Sequence, residues 1–379
     1  MQAAVHTANS NNLKIVSDFE IPKPKPNQVV IQVQASGVCH SDVYFLSIFP
    51  DDPREYIMGH EVTGVAVNLG HNVKHIKKGK RYCVLALGGC VSCFAKENGV
   101  TITPGEDINT EFNSLPYLGL GGNGGHAEYV VTDAKFLVPV PDNVPAEYAA
   151  VAADAGTTAW HAVKKTAGVK KGEKVLITGI GGLGLFAVQY AVYLGAEVYA
   201  VDMRPSSREL AIKYGAKQAF SLPELDAALA KGFSADVAID FVSTDITLSK
   251  EYSAVSKVSI NSGLSHNGRI VLVGIGDQVL AIKAFSGFLS AVHIMFSLYG
   301  TEDDLAEVLD LISKGHITPV VEKHPLHEAN QVYDDLRANR ILSRAPYRPI
   351  PVLVFILNCY ETLIKQPFGA NVLAKHVSS

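Results

Sequence analysis

The chain has 379 residues, enough for two or three domains and for a large core that needs no covalent staples. Hydrophobic residues make up 47% of it, charged residues only 18%, and the formal net charge is −4, so nothing electrostatic draws it to nucleic acid or to an anionic membrane surface. No basic-then-apolar leader opens the sequence and no window reaches the about 18 apolar residues of a membrane helix, so the expected location is the cytoplasm.

In chain order, the first part reads as β-rich. "QVVIQVQASGV", "GVAVN", "RYCVLAL" and "HAEYVVTDAKFLVPVP" are short β-branched runs broken by Gly, Pro and Asn. Glycines crowd between Gly119 and Gly125, which predicts loops there. Near Pro145 the pattern changes. "PAEYAAVAADAGTTAWHAV" is Ala-rich and reads as helix, "EKVLITG" as a buried strand, and Leu183 to Leu194 as a helix. "AEVYAVD" is the next strand and Ser207 to Tyr214 the next helix, with "ADVAIDFV" and "GRIVLVGI" as further strands. Such alternation predicts a parallel sheet covered by helices, that is, a Rossmann domain inserted into a β-rich one. A helix near Asp303 to Lys314 leads into a mixed C-terminal part.

The strand "KVLITG" runs into Gly179, Gly181, Gly182, Leu183 and Gly184 and then into a helix. A glycine turn of this kind lets backbone approach a pyrophosphate, and the following helix N-terminus offers it N–H groups. The next strand ends in Asp202, an acid suited to the ribose hydroxyls of NAD and repulsive to a 2′-phosphate; Arg204 tempers that preference.

Cys39-His40-Ser41-Asp42, Gly59-His60-Glu61 and Asp154-Ala155-Gly156 supply a thiolate, an imidazole and carboxylates. Cys39, His60 and Asp154 together make a plausible three-ligand zinc site with an open fourth position, where an alcohol oxygen would be polarised. Taken singly, Cys39 also reads as a small buried hydrophobe, His60 as a satisfied core histidine and Asp154 as a helix cap. The other cysteines, Cys83, Cys90, Cys93 and Cys359, read as ligands, reactive thiols or core residues rather than as a disulfide framework.

"GVCHSD", "MGHEVTG", "GGHAEYV", "DAGTTAWHAV", "GIGGLG" and "AVD" occur in the order found in zinc-containing medium-chain alcohol dehydrogenases, which the chain resembles over about residues 1–345. The resemblance implies an α/β architecture. A GroES-like catalytic domain would occupy 1–158 and 298–345, a doubly wound Rossmann NAD-binding domain 159–297, and an atypical extension 346–379. It implies that Cys39, His60 and Asp154 bind a catalytic zinc, with Asp154 where many members carry Cys, and that Glu61 is an alternate ligand. Ser41 would pass the alcohol's proton and Asp42 would orient the histidine ligand. Tyr44 stands where relatives often place the outer histidine of the proton relay. Thr158, Gly274 and Arg344 match positions near the cofactor. The partners implied are a small alcohol or aldehyde and further copies of the chain, as a dimer or tetramer, with no nucleic acid and no membrane.

The pattern fails in two places. Cys90 and Cys93 begin the four-cysteine structural zinc site of many relatives, but Lys96 takes the third place, so that second zinc is expected to be absent. After Arg344, preceded by Ser343 rather than the usual Gly, the prolines Pro346, Pro349 and Pro351 interrupt the apolar strand with which the family closes, and "VLVFIL" is the candidate to replace it. The tail beyond reads equally as a partner-binding segment, a lineage-specific extension or a gene-model artefact. The expected activity is reversible hydride transfer between NAD(H) and an alcohol, aldehyde or ketone. Its rivals are a zinc-free quinone or enoyl reductase of the same superfamily and a non-catalytic redox or structural protein. The loops 44–57, 111–120 and 290–300 are mainly apolar and favour a medium-sized or aromatic alcohol.

Overall fold

Alternation of buried and exposed residues in Gln28–Val38 gives way to continuous burial over its last four positions, where the strand runs into the interior. This strand, β3, is the spine of the first half. The computed structural model describes residues 1–86, 117–256, 268–275, 281 and 290–338, and the backbone of 352–356. Cys90, Cys93, Lys96, Ser343, Arg344 and Cys359 lie outside the described residues.

Three sheets build the β-rich half. In the first, β1 (Ala3–His6) pairs with β2 (Lys14–Val16) and β4 (Tyr56–Ile57). In the second, β3 pairs with β5 (Glu61–Leu69) and β9 (Tyr129–Asp133), and β5 with β6 (Arg81–Val84), which pairs with β10 (Leu137–Pro139). The same sheet gains two strands from the far end of the chain. β18 (Val352–Ile356) runs parallel to β3 and antiparallel to β17 (Val321–Pro325), so the backbone of the "VLVFIL" segment does form the strand expected of it. A minor sheet joins β7 (Tyr117–Leu118) and β8 (Gly121–Gly122).

The other half is a six-stranded, wholly parallel sheet. Its strands are β11 (Lys174–Thr178), β12 (Glu197–Val201), β13 (Gln218–Phe220), β14 (Val237–Asp240), β15 (Arg269–Leu272) and β16 (His293–Phe296). They lie in the order β13-β12-β11-β14-β15-β16, the doubly wound arrangement whose strand order reverses beside β11. Helices Gly182–Tyr193, Pro205–Lys213, Leu222–Ala230 and Asp245–Val255 connect its strands. The first two match the expected helices within two residues, whereas Leu222–Ala230, opened by the Ser221–Glu224 capping box, and Asp245–Val255 lie outside the elements expected from the sequence.

The Ala-rich stretch is helical from 146 to 166, but not as one regular helix: Ala152–Gly156 and His161–Thr166 are π-helical turns. It is buried from Ala149 to Trp160, and one apolar core joins it to Cys83 and Leu85 of the β-rich half and to Val175, Ile177 and Val237 of the parallel sheet. A helix apolar on all sides suits that seam. Among the described residues no helix is long and apolar enough to cross a membrane.

Candidate active site

Cys39 ends the buried stretch of β3 and caps the short helix His40–Ile48. Asp42, in its first turn, turns back so that the Cys39 N–H donates to Oδ2 at 2.9 Å. Its other oxygen meets Nδ1 of His60 at 2.9 Å, and both side chains are wholly buried. One carboxylate therefore fixes two segments 18 residues apart in sequence.

His60 owes its place to backbone packing. Gly59 has φ +93°, and a Cβ there would meet the His126 ring at 2.2 Å. On its other side, Cβ atoms at Gly119 and Gly124 would lie 2.3 and 2.2 Å from Gly59 backbone atoms. The crowded glycines are thus a surface on which residues 57–59 lie, with N–H donations from Gly124, Gly125 and His126 to the carbonyls of Ile57, Gly59 and Met58. Behind Gly59, the buried His126 is held between the Ser36 hydroxyl at 2.9 Å and the Tyr333 hydroxyl at 3.1 Å. Burial lowers its pKa to about 4, which keeps the ring neutral.

Asp154 comes from the first π-helical turn, a feature often found where a helix must re-aim a side chain. Its Oδ2 lies 3.1 Å from His60 Nε2, and its Oδ1 accepts a bond of 2.7 Å from the Thr158 hydroxyl. Glu61 accepts from the Ala155 N–H at 3.3 Å through Oε1, while its buried Oε2 has no hydrogen-bond partner. Donor atoms of Cys39, His60, Glu61 and Asp154 all lie within 4.8 Å of one another, and all four residues are buried. In the protein alone, burial pushes the Cys39 thiol up to about 11, helped by the charges of Asp154 and Glu61, and burial likewise raises Glu61 far above the usual carboxyl range.

These residues fit a divalent cation. Burial alone would lower the His60 pKa, but the carboxylates of Asp42 at Nδ1 and Asp154 at Nε2 raise it well above the ordinary range, so in the protein alone the ring is an imidazolium between two acids, and a divalent cation would take the place of its Nε2 proton. A thiolate, an imidazole and a carboxylate are an ordinary zinc donor set, and the metal would favour the deprotonated acids. Ser41, half-buried, stands at the rim with Oγ 3.4 Å from the Cys39 sulfur. Cys83, by contrast, donates to the Ala149 carbonyl at 3.0 Å and is a core residue.

On the parallel sheet, Gly179 follows β11 with φ +84°, and a Cβ at Gly184 would lie 1.8 Å from the Gly179 carbonyl oxygen. Only glycine allows that turn to close and the helix Gly182–Tyr193, capped by Gly181, to begin there; half-buried Leu183 packs onto the central core. Asp202 lies just after β12, where Oδ2 accepts from the Ile180 N–H and Oδ1 from the Arg204 N–H, each at 2.8 Å. The acid therefore also braces the glycine turn, a job the sequence reading did not give it. Gly274 lies beyond β15, where its N–H reaches the Asp240 carbonyl at 3.2 Å. Thr158, matched by resemblance to a position near the cofactor, donates its hydroxyl to Asp154.

Comparison with known proteins agrees with this geometry. A family model described as an alcohol dehydrogenase GroES-like domain matches residues 25–142, and one described as a zinc-binding dehydrogenase matches residues 182–314. An alcohol dehydrogenase of Geobacillus stearothermophilus is 34% identical over 353 residues, spanning 91% of this chain and 98% of that protein. Among solved structures, acetophenone reductase from Geotrichum candidum in complex with NAD is 31% identical, with a TM-score of 0.74 over 93% of this chain and 96% of that one. The cobalt- and zinc-bound thermostable alcohol dehydrogenase from Pyrobaculum aerophilum is 26% identical, with a TM-score of 0.71 over 94% and 99% of the two chains.

Proposed function

The chain belongs to the zinc-type alcohol dehydrogenase family and is an NAD(H)-dependent oxidoreductase of alcohols, and we propose that Cys39, His60 and Asp154 hold its catalytic zinc, with Glu61 as an alternate ligand. The observation that carries this assignment is the buried donor cluster with its orphaned Glu61 oxygen. When bound, zinc supplies the Lewis acidity that eases loss of the alcohol proton, and the nicotinamide takes up the hydride. Asp42 keeps the proton of His60 on Nδ1 and so leaves Nε2 for the metal. Ser41 receives the alcohol proton and passes it outward past Tyr44. Thr158 aims Asp154 by its hydrogen bond.

Gly179, Gly181, Gly182, Leu183 and Gly184 form the pyrophosphate turn, and Asp202 meets the ribose while bracing that turn. Gly274 lies along the cofactor, and Arg344 is assigned to the pyrophosphate. Residues 1–158 and 298–345 form the catalytic part, joined by β18 from within the stretch 346–379 expected as a separate extension, and 159–297 the cofactor part. The preferred substrate is an apolar or aromatic alcohol or ketone, a reading supported by the mainly apolar sequence of the loops 44–57, 111–120 and 290–300. We also infer a homo-oligomer in the cytoplasm. β16 is an edge strand whose Phe296 is 76% exposed, which invites pairing with a second copy.

Elemental analysis of purified protein, with NADH consumption over a panel of aryl ketones, aliphatic aldehydes and sugars, tests the reading. One zinc per chain and a preference for apolar carbonyls are expected. Full activity in metal-free protein would overturn the ligand assignment.

A further inference from the structure

Beneath the dinucleotide turn lies a second buried acid cluster. Glu251, on the helix Asp245–Val255, and Asp240, at the end of β14, are both wholly buried. Their carboxyl groups face one another, and the Thr178 hydroxyl at the end of β11 faces Glu251. Asp240 is well supplied with donors. Its Oδ1 accepts from the Val242 and Ser243 N–H groups at 2.7 and 2.9 Å, and its Oδ2 from the Thr247 hydroxyl at 2.6 Å. Both Glu251 oxygens and the Thr178 hydroxyl, in contrast, have no formed hydrogen bond.

Two carboxylates offer only acceptors to each other, and burying both charges without a counterion is costly. Among the described residues, no cation answers them from the elements packed on this helix. Asp226, on the helix Leu222–Ala230, is paired with Lys250 at the surface, and Arg269, at the other end of β15, is paired with Glu173. One proton resolves the contact between the two acids. Protonated Glu251 donates to Asp240, which removes the repulsion of two buried charges, and leaves its second oxygen to the Thr178 hydroxyl. Burial and the nearby Asp240 charge raise the Glu251 pKa well above the carboxyl range, in agreement with a neutral acid.

The cluster touches the parts of the sheet to which the cofactor is assigned. Thr178 directly precedes Gly179. The Asp240 carbonyl accepts from the N–H groups of Val273 and Gly274, and the Phe241 N–H donates to the Thr178 carbonyl. Val242, held by Asp240, presses on Gly179, where a Cβ would meet it at 2.6 Å. We propose that a single proton shared between Glu251 and Asp240 locks the ends of β11, β14 and β15 in register beneath Gly179 and Gly274, making Glu251 a positioning residue for the dinucleotide. The inference rests on the cofactor assignment made above.

The test is NADH affinity by fluorescence from neutral to alkaline pH, with infrared spectra, for the unaltered protein, Glu251→Gln and Glu251→Ala. Glutamine is neutral and can both donate to Asp240 and accept from Thr178. It should keep neutral-pH affinity within about twofold, whereas Ala, which removes the side chain that links Asp240 to Thr178, should weaken it roughly tenfold. The unaltered protein should lose affinity as Glu251 ionises at alkaline pH, and Glu251→Gln should not. A protonated-acid carbonyl band should be present at neutral pH and vanish in Glu251→Gln. Absence of that band, a Gln variant as weak as Ala, or the same alkaline loss in Gln as in the unaltered protein would overturn the proposal. Failure of the unaltered protein to bind NADH, with the band intact, would instead strike the cofactor assignment and leave the shared proton standing.

Discussion

The glycine turn of the parallel sheet occupies six consecutive residues, 179–184, whereas the proposed metal donors come from positions 39, 60, 61 and 154, on a helix cap, a strand start and a π-helical turn. The turn is fixed locally. Gly184 approaches the Gly179 carbonyl, and Asp202 from the neighbouring strand holds the Ile180 N–H. The donor cluster exists only because three distant backbones converge, and its precision depends on residues that are not donors, namely Asp42, Thr158 and the glycines around Gly59. A continuous motif tolerates change elsewhere, while an assembled one is exposed at every support.

The largest expected break in the comparison is His60→Ala. Loss of the central donor should empty the zinc site and lower turnover by ~10³-fold, since several kcal/mol of Lewis-acid stabilisation are lost. Elemental analysis and NADH titration should show no metal but nearly unchanged cofactor binding; a variant that still holds one zinc would remove His60 from the site. Ser41→Ala should act on the proton alone, with turnover down by ~10²-fold and zinc content retained. Full turnover with a normal pH profile would mean that the proton leaves by another route.

A crossed pair sharpens the boundary between the two regions. Thr158→Val removes the hydroxyl on Asp154 and should weaken zinc by roughly tenfold while sparing NADH affinity. Asp202→Ser should do the reverse, leaving zinc untouched, weakening NADH by roughly tenfold and improving use of NADPH. Should Thr158→Val weaken the cofactor instead, the resemblance reading of that residue would be the better one.

The smallest expected effect falls on the seam. Asp304 caps its helix through Thr301 and meets His161 of the central helical stretch at 2.7 Å. Burial alone would raise its pKa, but these bonds hold it down at about 2, below the ordinary 3.8. A depressed carboxyl pKa stabilises the fold above the unfolded value, and that contribution disappears as pH falls from about 4 through 2. It amounts to about 2 kcal/mol at neutral pH. Asp304→Asn should therefore destabilise the protein at pH 7, about half as much near pH 3 and hardly at pH 2 or below, by denaturant melts at each pH.

Much of the parallel sheet was legible because its signals are short-range: strand, glycine turn, helix and terminal acid follow one another within 179–202. Cys39, His60 and Asp154 could be named only through resemblance, since no periodicity brings them together. The helix His40–Ile48 escaped because its cap is a cysteine rather than Ser, Thr, Asp or Asn, and its Asp42 serves both the cap and His60. The π-helical turns were invisible in an Ala-rich stretch that any helix would accept. The role of Glu251 was out of reach for another reason, since a helical glutamate normally reads as a solvated face. In hindsight the glycines around Gly119 were a signal: so many in one loop meant backbone lying against backbone, here against the segment that carries His60.

The position of β18 carries a consequence for biosynthesis. The strand occupies the slot between β3 and β17, parallel to the first and antiparallel to the second. β3 is complete by residue 38, and on the side away from β5 its Gln28–Gln32 is covered by β9, yet the neighbour of Ala35–Val38 is supplied by residues 352–356. As a chain grows from its N-terminus, Ala35–Val38 of β3 must wait with that edge unpaired until residues 352–356 are made, while the parallel sheet, whose last strand ends at residue 296, can consolidate earlier. The half of the molecule that carries most of the metal donors is thus the last to be sealed. Its exposed strand edge is the point at which a nascent chain would need shielding from its neighbours on the same polysome.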